Sequence, residues 1–228
     1  MKKLGLIGGT GPESTLLYYK KINYAVHEKN SGTEFPEIVI ESIDLHKVVK
    51  YIQNKEYDKL TEYVMSKVSN LVSCGAEVIS LTAVTMHIIY DKLIQKSGLP
   101  LVSIPEALSE EAEKKGYSKV GLLGTIFTMD NDYMKQPLEK RRISVVIPNP
   151  EDKKLVADKI ANELEYGIVK DSTLKDFLDV ISRMTDSDGI QAVILGCTEL
   201  PLILNSDVCP VECLDAVDIH IRKLVDML

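Results

Sequence analysis

A single thiol stands just past an apolar run. Ala192-Val-Ile-Leu195 leads into Gly196-Cys-Thr-Glu199, and the run lacks the alternation of a half-solvated strand. The pattern predicts a buried parallel strand with Cys197 beyond its carboxyl end, where open α/β sheets bind their ligands. A thiol can hold, give or take a proton, and its ionised form is a nucleophile. Thr198 and Glu199 add a hydroxyl donor and a carboxylate beside it. The bland alternative is a packed core cysteine. The strand-end position favours the chemical reading.

A second stretch points to anion binding. Lys3 to Ile7 reads as a strand, followed by Gly8-Gly-Thr-Gly-Pro-Glu-Ser-Thr15 and a helix over about residues 14–28. Glycines let the backbone turn tightly and approach a ligand, and a helix N-terminus favours negative charge. The loop lacks the third glycine of a dinucleotide fingerprint and Pro12 intrudes. A small carboxylate suits it better, with Gly9 and Thr10 as donors. Asp44-Leu-His-Lys-Val-Val-Lys50 follows the second predicted strand, 37–43, as a charged segment. Lys47 is its candidate carboxylate partner. None of Arg141, Arg142, Arg183 and Arg222 falls at a predicted strand end.

The elements that must position these residues occur twice. Gly75-Ala-Glu-Val-Ile-Ser-Leu-Thr-Ala-Val-Thr85 matches residues 189–199 in pattern, with Gly75 opposite Gly189 and Ala83 opposite Cys197. Lys3-Leu-Gly-Leu-Ile-Gly-Gly9 matches Lys119-Val-Gly-Leu-Leu-Gly-Thr125. Two unrelated motifs repeating at nearly one offset indicate duplicated halves. Strand–helix alternation throughout predicts an α/β fold of two similar lobes, each a mainly parallel sheet flanked by helices. The expected division is 1–103 plus 214–228 for the first lobe and 104–213 for the second. A site between the lobes would take strand ends from each. Thr85, Thr125 and Thr128 fall at such ends, with Asp130 expected as a helix cap. His87 could serve in proton transfer, although a structural role suits a helix-start histidine better. Cys209-Pro-Val-Glu-Cys213 reads as a strand.

Composition narrows the classes. The chain has 228 residues, with 45% hydrophobic and 27% charged, as in ordinary soluble proteins. A net charge of −7 argues against a nucleic-acid partner. No run approaches a membrane-spanning length, and Gly8-Gly9 breaks the apolar start before a leader could form. A cytoplasmic protein without disulfides is expected. Cys74, Cys197, Cys209 and Cys213 have no zinc-type spacing, so no metal site is expected.

Ile7-Gly-Gly-Thr-Gly-Pro-Glu-Ser-Thr15, Thr85-Met-His87 and Ile194-Leu-Gly-Cys-Thr-Glu-Leu-Pro201 together resemble the aspartate/glutamate racemase family over the whole chain. The resemblance implies two α/β lobes with the active site in the cleft between them, no cofactor, and commonly a homodimer. It implies inversion of the α-carbon of aspartate or glutamate by proton abstraction and reprotonation. Cys197 would be the surviving thiol acid/base. Gly9, Thr10, Lys47, Thr85, Thr125, Thr128, Thr198 and Glu199 would hold the substrate. The sequence departs from the family at the first cysteine motif. Ala83 stands where a thiol is usual and Val84 where an asparagine is usual, and neither side chain can carry a proton. Three activities therefore remain open on this scaffold. They are a racemase, a one-thiol decarboxylase or isomerase of a dicarboxylic acid, and a dicarboxylate-binding descendant without catalysis.

Overall fold

Eight short strands form two four-stranded parallel sheets of identical strand order. The computed structural model describes residues 1–228. The first sheet comprises β1 (Leu4–Gly8), β2 (Ile38–Ser42), β3 (Val78–Leu81) and β4 (Leu101–Val102), in spatial order β2-β1-β3-β4. The second comprises β5 (Lys119–Leu123), β6 (Ser144–Val146), β7 (Ala192–Leu195) and β8 (Glu212–Asp215), in order β6-β5-β7-β8. The internal repeat in the sequence is thus a repeat of topology: β1 corresponds to β5 and β3 to β7.

The chain divides into two units, Met1–Ser103 with His220–Leu228, and Ile104–Ile219. The return to the first unit falls at His220 rather than at residue 214. The reason lies in the pairing of β8, which runs through Asp215 and is in register with β7, Val193 opposite Cys213 and Leu195 opposite Asp215.

In the first unit, helices α1 (Pro12–Lys29), α2 (Leu45–Gln53), α3 (Tyr57–Ser73) and α4 (Tyr90–Ser97) accompany the sheet. Helix α3 buries Leu60, Val64, Val68 and Leu71, a single stripe at helical spacing. That stripe shares a core with Ile7, Ile79 and Leu81 of the sheet. The segment expected to be merely charged, Asp44–Lys50, is capped helix: the Asp44 carboxylate accepts from the His46 and Lys47 amides. The Lys2 amide donates to the Leu228 carbonyl at 3.1 Å.

The second unit carries α5 (Ile104–Lys114), α6 (Ile126–Asp130), α7 (Gln136–Lys140), α8 (Pro150–Asn162) and α9 (Asp171–Asp188). Its core joins Val156 and Ile160 of α8, Phe177, Val180 and Ile181 of α9, and Leu123, Val193 and Leu195 of the strands. Helix α10 (Ala216–Met227) closes the chain. Two local expectations are corrected. Thr125, not Asp130, caps α6, its hydroxyl accepting from the Thr128 amide, while Asp130 ends that helix and pairs with Lys153 at 2.5 Å. Residues 209–211 are turn rather than strand, because Pro210 has no amide to give to a ladder. No helix is long and apolar enough to cross a membrane.

Candidate active site

In the second unit the ends of β5 and β7 lie side by side. The Gly196 amide donates to the Leu123 carbonyl at 2.8 Å. A Cβ on Gly196 would stand 2.8 Å from that same oxygen and 3.3 Å from the Thr128 methyl. Only glycine lets the strand end pass so close, and Cys197 emerges directly after it.

Cys197 is half-buried, packed at the edge of the apolar core. Its thiol donates to Glu199 Oε2 at 2.8 Å, and the Thr198 hydroxyl donates to Glu199 Oε1 at 2.7 Å. Both oxygens of one carboxylate are thus engaged by the two preceding side chains. Burial, the Glu199 charge and the bond to Glu199 hold the Cys197 thiol well above the usual thiol range, with Glu165 adding to the effect. Glu165, in a 3₁₀ turn at Leu164–Tyr166, has its own carboxyl raised by burial and by Glu199. The resting sulfur is therefore a protonated thiol hydrogen-bonded to a carboxylate.

Beside it lies a hydroxyl network. Thr128 Oγ1 accepts from the Thr125 hydroxyl at 3.2 Å and from the Tyr133 hydroxyl at 3.1 Å. With both lone pairs used, a buried hydroxyl keeps one proton to donate.

In the first unit the ends of β1 and β3 are joined in the corresponding way. The Thr82 amide donates to the Ile7 carbonyl at 3.1 Å. The Ser14 hydroxyl donates to the Thr82 carbonyl at 2.6 Å, and the Gly9 amide to the Thr15 hydroxyl at 3.0 Å. Gly9 has φ +87° and packs so tightly that a Cβ would lie 2.3 Å from the Ile43 carbonyl oxygen. Thr10 Oγ1 is buried and has no partner. It sits next to the N-terminus of α1, which no side chain caps.

The sequence profile of the family described as Asp/Glu/Hydantoin racemase matches residues 7–224. The chain belongs to that family. A protein of Pyrococcus horikoshii described as an aspartate racemase homologue is 38% identical, with a TM-score of 0.88 and coverage of 100% of this chain and 99% of its own. A Yersinia pestis protein described as a candidate Asp/Glu racemase is 33% identical, with a TM-score of 0.94 and the same coverage. A glutamate racemase of Clostridium acetobutylicum is 28% identical over 149 residues, which are 65% of this chain and 56% of that enzyme.

Within this racemase-family chain, the residues expected at the site fall into two groups. Thr125, Thr128, Cys197, Thr198 and Glu199 gather at the strand ends of the second unit. Gly9, Thr10 and Thr85 gather at those of the first, Thr85 in the 3₁₀ turn Val84–Ile89. Lys47 is already engaged: its ammonium lies 4.1 Å over the Tyr63 ring, on the exposed side of α2.

His87, considered for proton transfer, is buried. Its Nδ1 donates to the Ala83 and Val84 carbonyls at 3.2 and 3.1 Å, and burial lowers its pKa to about 4. It is a neutral ring that ties the first-motif turn together. Tyr133 and Glu165 were not foreseen. Tyr133 could have been suspected from its place five residues after Thr128, but nothing local to Glu165 marks it.

Proposed function

We propose that this family member is a cofactor-independent racemase of aspartate or glutamate, with Cys197 as the thiol acid/base for one face of the α-carbon. The observation that carries the reading is the Cys197 thiol donating to Glu199. A proton on sulfur with a carboxylate acceptor can move in either direction. Passed to Glu199, it leaves a thiolate that can take the α-proton. Kept on sulfur, it can be given to a carbanion formed by loss of the proton on the other face. The α-proton of an amino acid is weakly acidic, so donors must gather around the substrate carboxylate as charge develops there. Thr128, with its remaining proton, and Thr85 suit that role, whereas Thr125 and Thr198 would first have to turn their protons away from Thr128 and Glu199. The unpartnered Thr10 hydroxyl, the Gly9 turn and the uncapped start of α1 suit a carboxylate as well. Lys47 would have to leave the Tyr63 ring to take part.

Ala83 brings no proton, so exchange on the second face falls to water. The enzyme would then exchange the α-proton faster than it inverts the centre. Proton NMR of each enantiomer of aspartate and glutamate in heavy water tests this. The expected result is loss of the α-proton signal with slower appearance of the opposite enantiomer. Cys197→Ser should lower exchange by about 10²–10⁴-fold, the usual contribution of a positioned acid/base. Exchange undiminished in that variant would overturn the role of Cys197. No exchange in the wild-type protein would overturn the activity.

A further inference from the structure

Tyr133 has no role in the chemistry described so far. It lies half-buried in the turn between α6 and α7. The chain on either side is pinned. The Asn131 carboxamide donates to the Phe127 carbonyl at 2.8 Å, the Lys135 amide donates to the Asp132 carbonyl at 2.9 Å, and Met134 is fully buried. The Tyr133 ring lies 6.0 Å from the Phe127 ring, centroid to centroid, and its hydroxyl donates to Thr128 Oγ1 at 3.1 Å. Thr128 is held as firmly. Its methyl fills the space beside two glycines: a Cβ on Gly124 would lie 3.1 Å from that methyl, and one on Gly196 3.3 Å. Its amide donates to the Thr125 hydroxyl oxygen at 3.2 Å. The carbon frame of Thr128 is therefore fixed, and only the direction of its hydroxyl hydrogen is left to choose.

Two donors make that choice. Thr125 gives one proton to Thr128 Oγ1 and Tyr133 gives the other, and a hydroxyl oxygen has two lone pairs. The Thr128 proton must then point away from both. Without the Tyr133 hydroxyl one lone pair falls vacant. The Thr125 and Thr128 hydroxyls can then exchange donor and acceptor, and the Thr128 proton turns back to Thr125. We propose that Tyr133 is a positioning residue that makes Thr128 a one-way donor, and so a receptor for a group that can only accept, a substrate carboxylate. The proposal rests on the placing of Thr128 at the substrate in the reading above. An ammonium or amide N–H would find no acceptor at this hydroxyl. The Thr128 methyl is packed against Gly196, the residue before Cys197, which puts the donor at the thiol's own strand end.

The test is a double-mutant cycle on the whole protein, read as binding of L-aspartate, L-glutamate and succinate by NMR titration. Tyr133→Phe removes one oxygen and keeps the ring. It should weaken binding of the probe that binds by about tenfold, the usual worth of a hydrogen bond to a charged group. Thr128→Val keeps the shape and removes the donor, and should weaken binding at least as much. In the Thr128→Val background Tyr133→Phe should change affinity by no more than about twofold, because no hydroxyl is left to orient. Equal losses in both backgrounds would overturn the proposal, as would unchanged binding in Tyr133→Phe. A wild-type protein that binds none of the three probes would overturn it too. If Thr128→Val does not fold, α-proton exchange by Tyr133→Phe decides. A raised KM supports positioning, whereas a lower kcat at unchanged KM is only a smaller active fraction and overturns it. Coupled binding without exchange in the wild type would sink the racemase reading and leave this role standing. Exchange with an uncoupled cycle would do the reverse.

Discussion

The Cys197 thiol and the Glu199 carboxylate are two residues apart in sequence and 2.8 Å apart in space, the thiol donating. With the thiol held high by burial and by that carboxylate, the thiolate form grows only above the ordinary thiol range near about 8.5. α-Proton exchange should therefore keep rising with pH through that range without levelling off. Replacing Glu199 by Gln removes the charge and lowers the thiol pKa, so the rising limb should move to lower pH even as the maximal rate falls about tenfold or more. A pH–rate profile of exchange for both proteins checks this. An unmoved limb in Glu199→Gln would show that Glu199 does not govern the thiol.

Ala83 occupies the first-motif position at which a thiol is usual in the family. Ala83→Cys should raise the ratio of inversion to exchange by about tenfold or more, since a proton carrier replaces water. Polarimetry and NMR on the same samples give the ratio. An unchanged ratio would count against water as the second proton source.

Two buried histidines predict acid sensitivity. His220 Nδ1 accepts from the Tyr18 hydroxyl at 2.7 Å, and its Nε2 lies 3.2 Å from the Val102 carbonyl. Burial lowers its pKa to about 3, and that of His87 to about 4. Both rings titrate near about 6.5 when the chain is unfolded. Above that pH neither state binds the proton, and their full stabilisation is present. Below it the unfolded chain binds protons first, so stability falls as the pH drops from about 6.5 towards 4. The loss should reach about 3 kcal/mol or more for His87 alone. Urea titrations between pH 7 and 4.5 measure it, and His220→Asn should flatten the slope.

Gly9 cannot be replaced cheaply. With φ +87° and a Cβ that would meet the Ile43 carbonyl oxygen at 2.3 Å, Gly9→Ala should cost at least about 2 kcal/mol. Thermal melts would show this as a clear drop in midpoint, whereas Gly98→Ala, with nothing near its Cβ, should pay only for its positive φ.

The repeat, the strands and the place of Cys197 were legible because buried parallel strands are unbroken apolar runs and glycine marks their ends. Helix α2 was missed because its one buried residue, Val48, is flanked by exposed lysines and a histidine. The strand expected over 209–213 shrank to Glu212–Asp215, since the apolar look of Cys-Pro-Val hid a residue with no amide to pair. Glu165 reaches the vicinity of Glu199 only through the folding of the turn after α8, and Tyr18 meets His220 across 202 positions. Contacts of that range leave no local signature.

The bond between the Lys2 amide and the Leu228 carbonyl brings the two ends of the chain into contact. A short peptide could join them, and new termini could be opened between Ser103 and Ile104, where one unit gives way to the other. In such a circular permutant each unit would be encoded by a single uninterrupted stretch, 104–219 followed by 220–228 and 1–103. The order in which the units emerge during synthesis would be reversed, and the first could complete its sheet before any of the second was made.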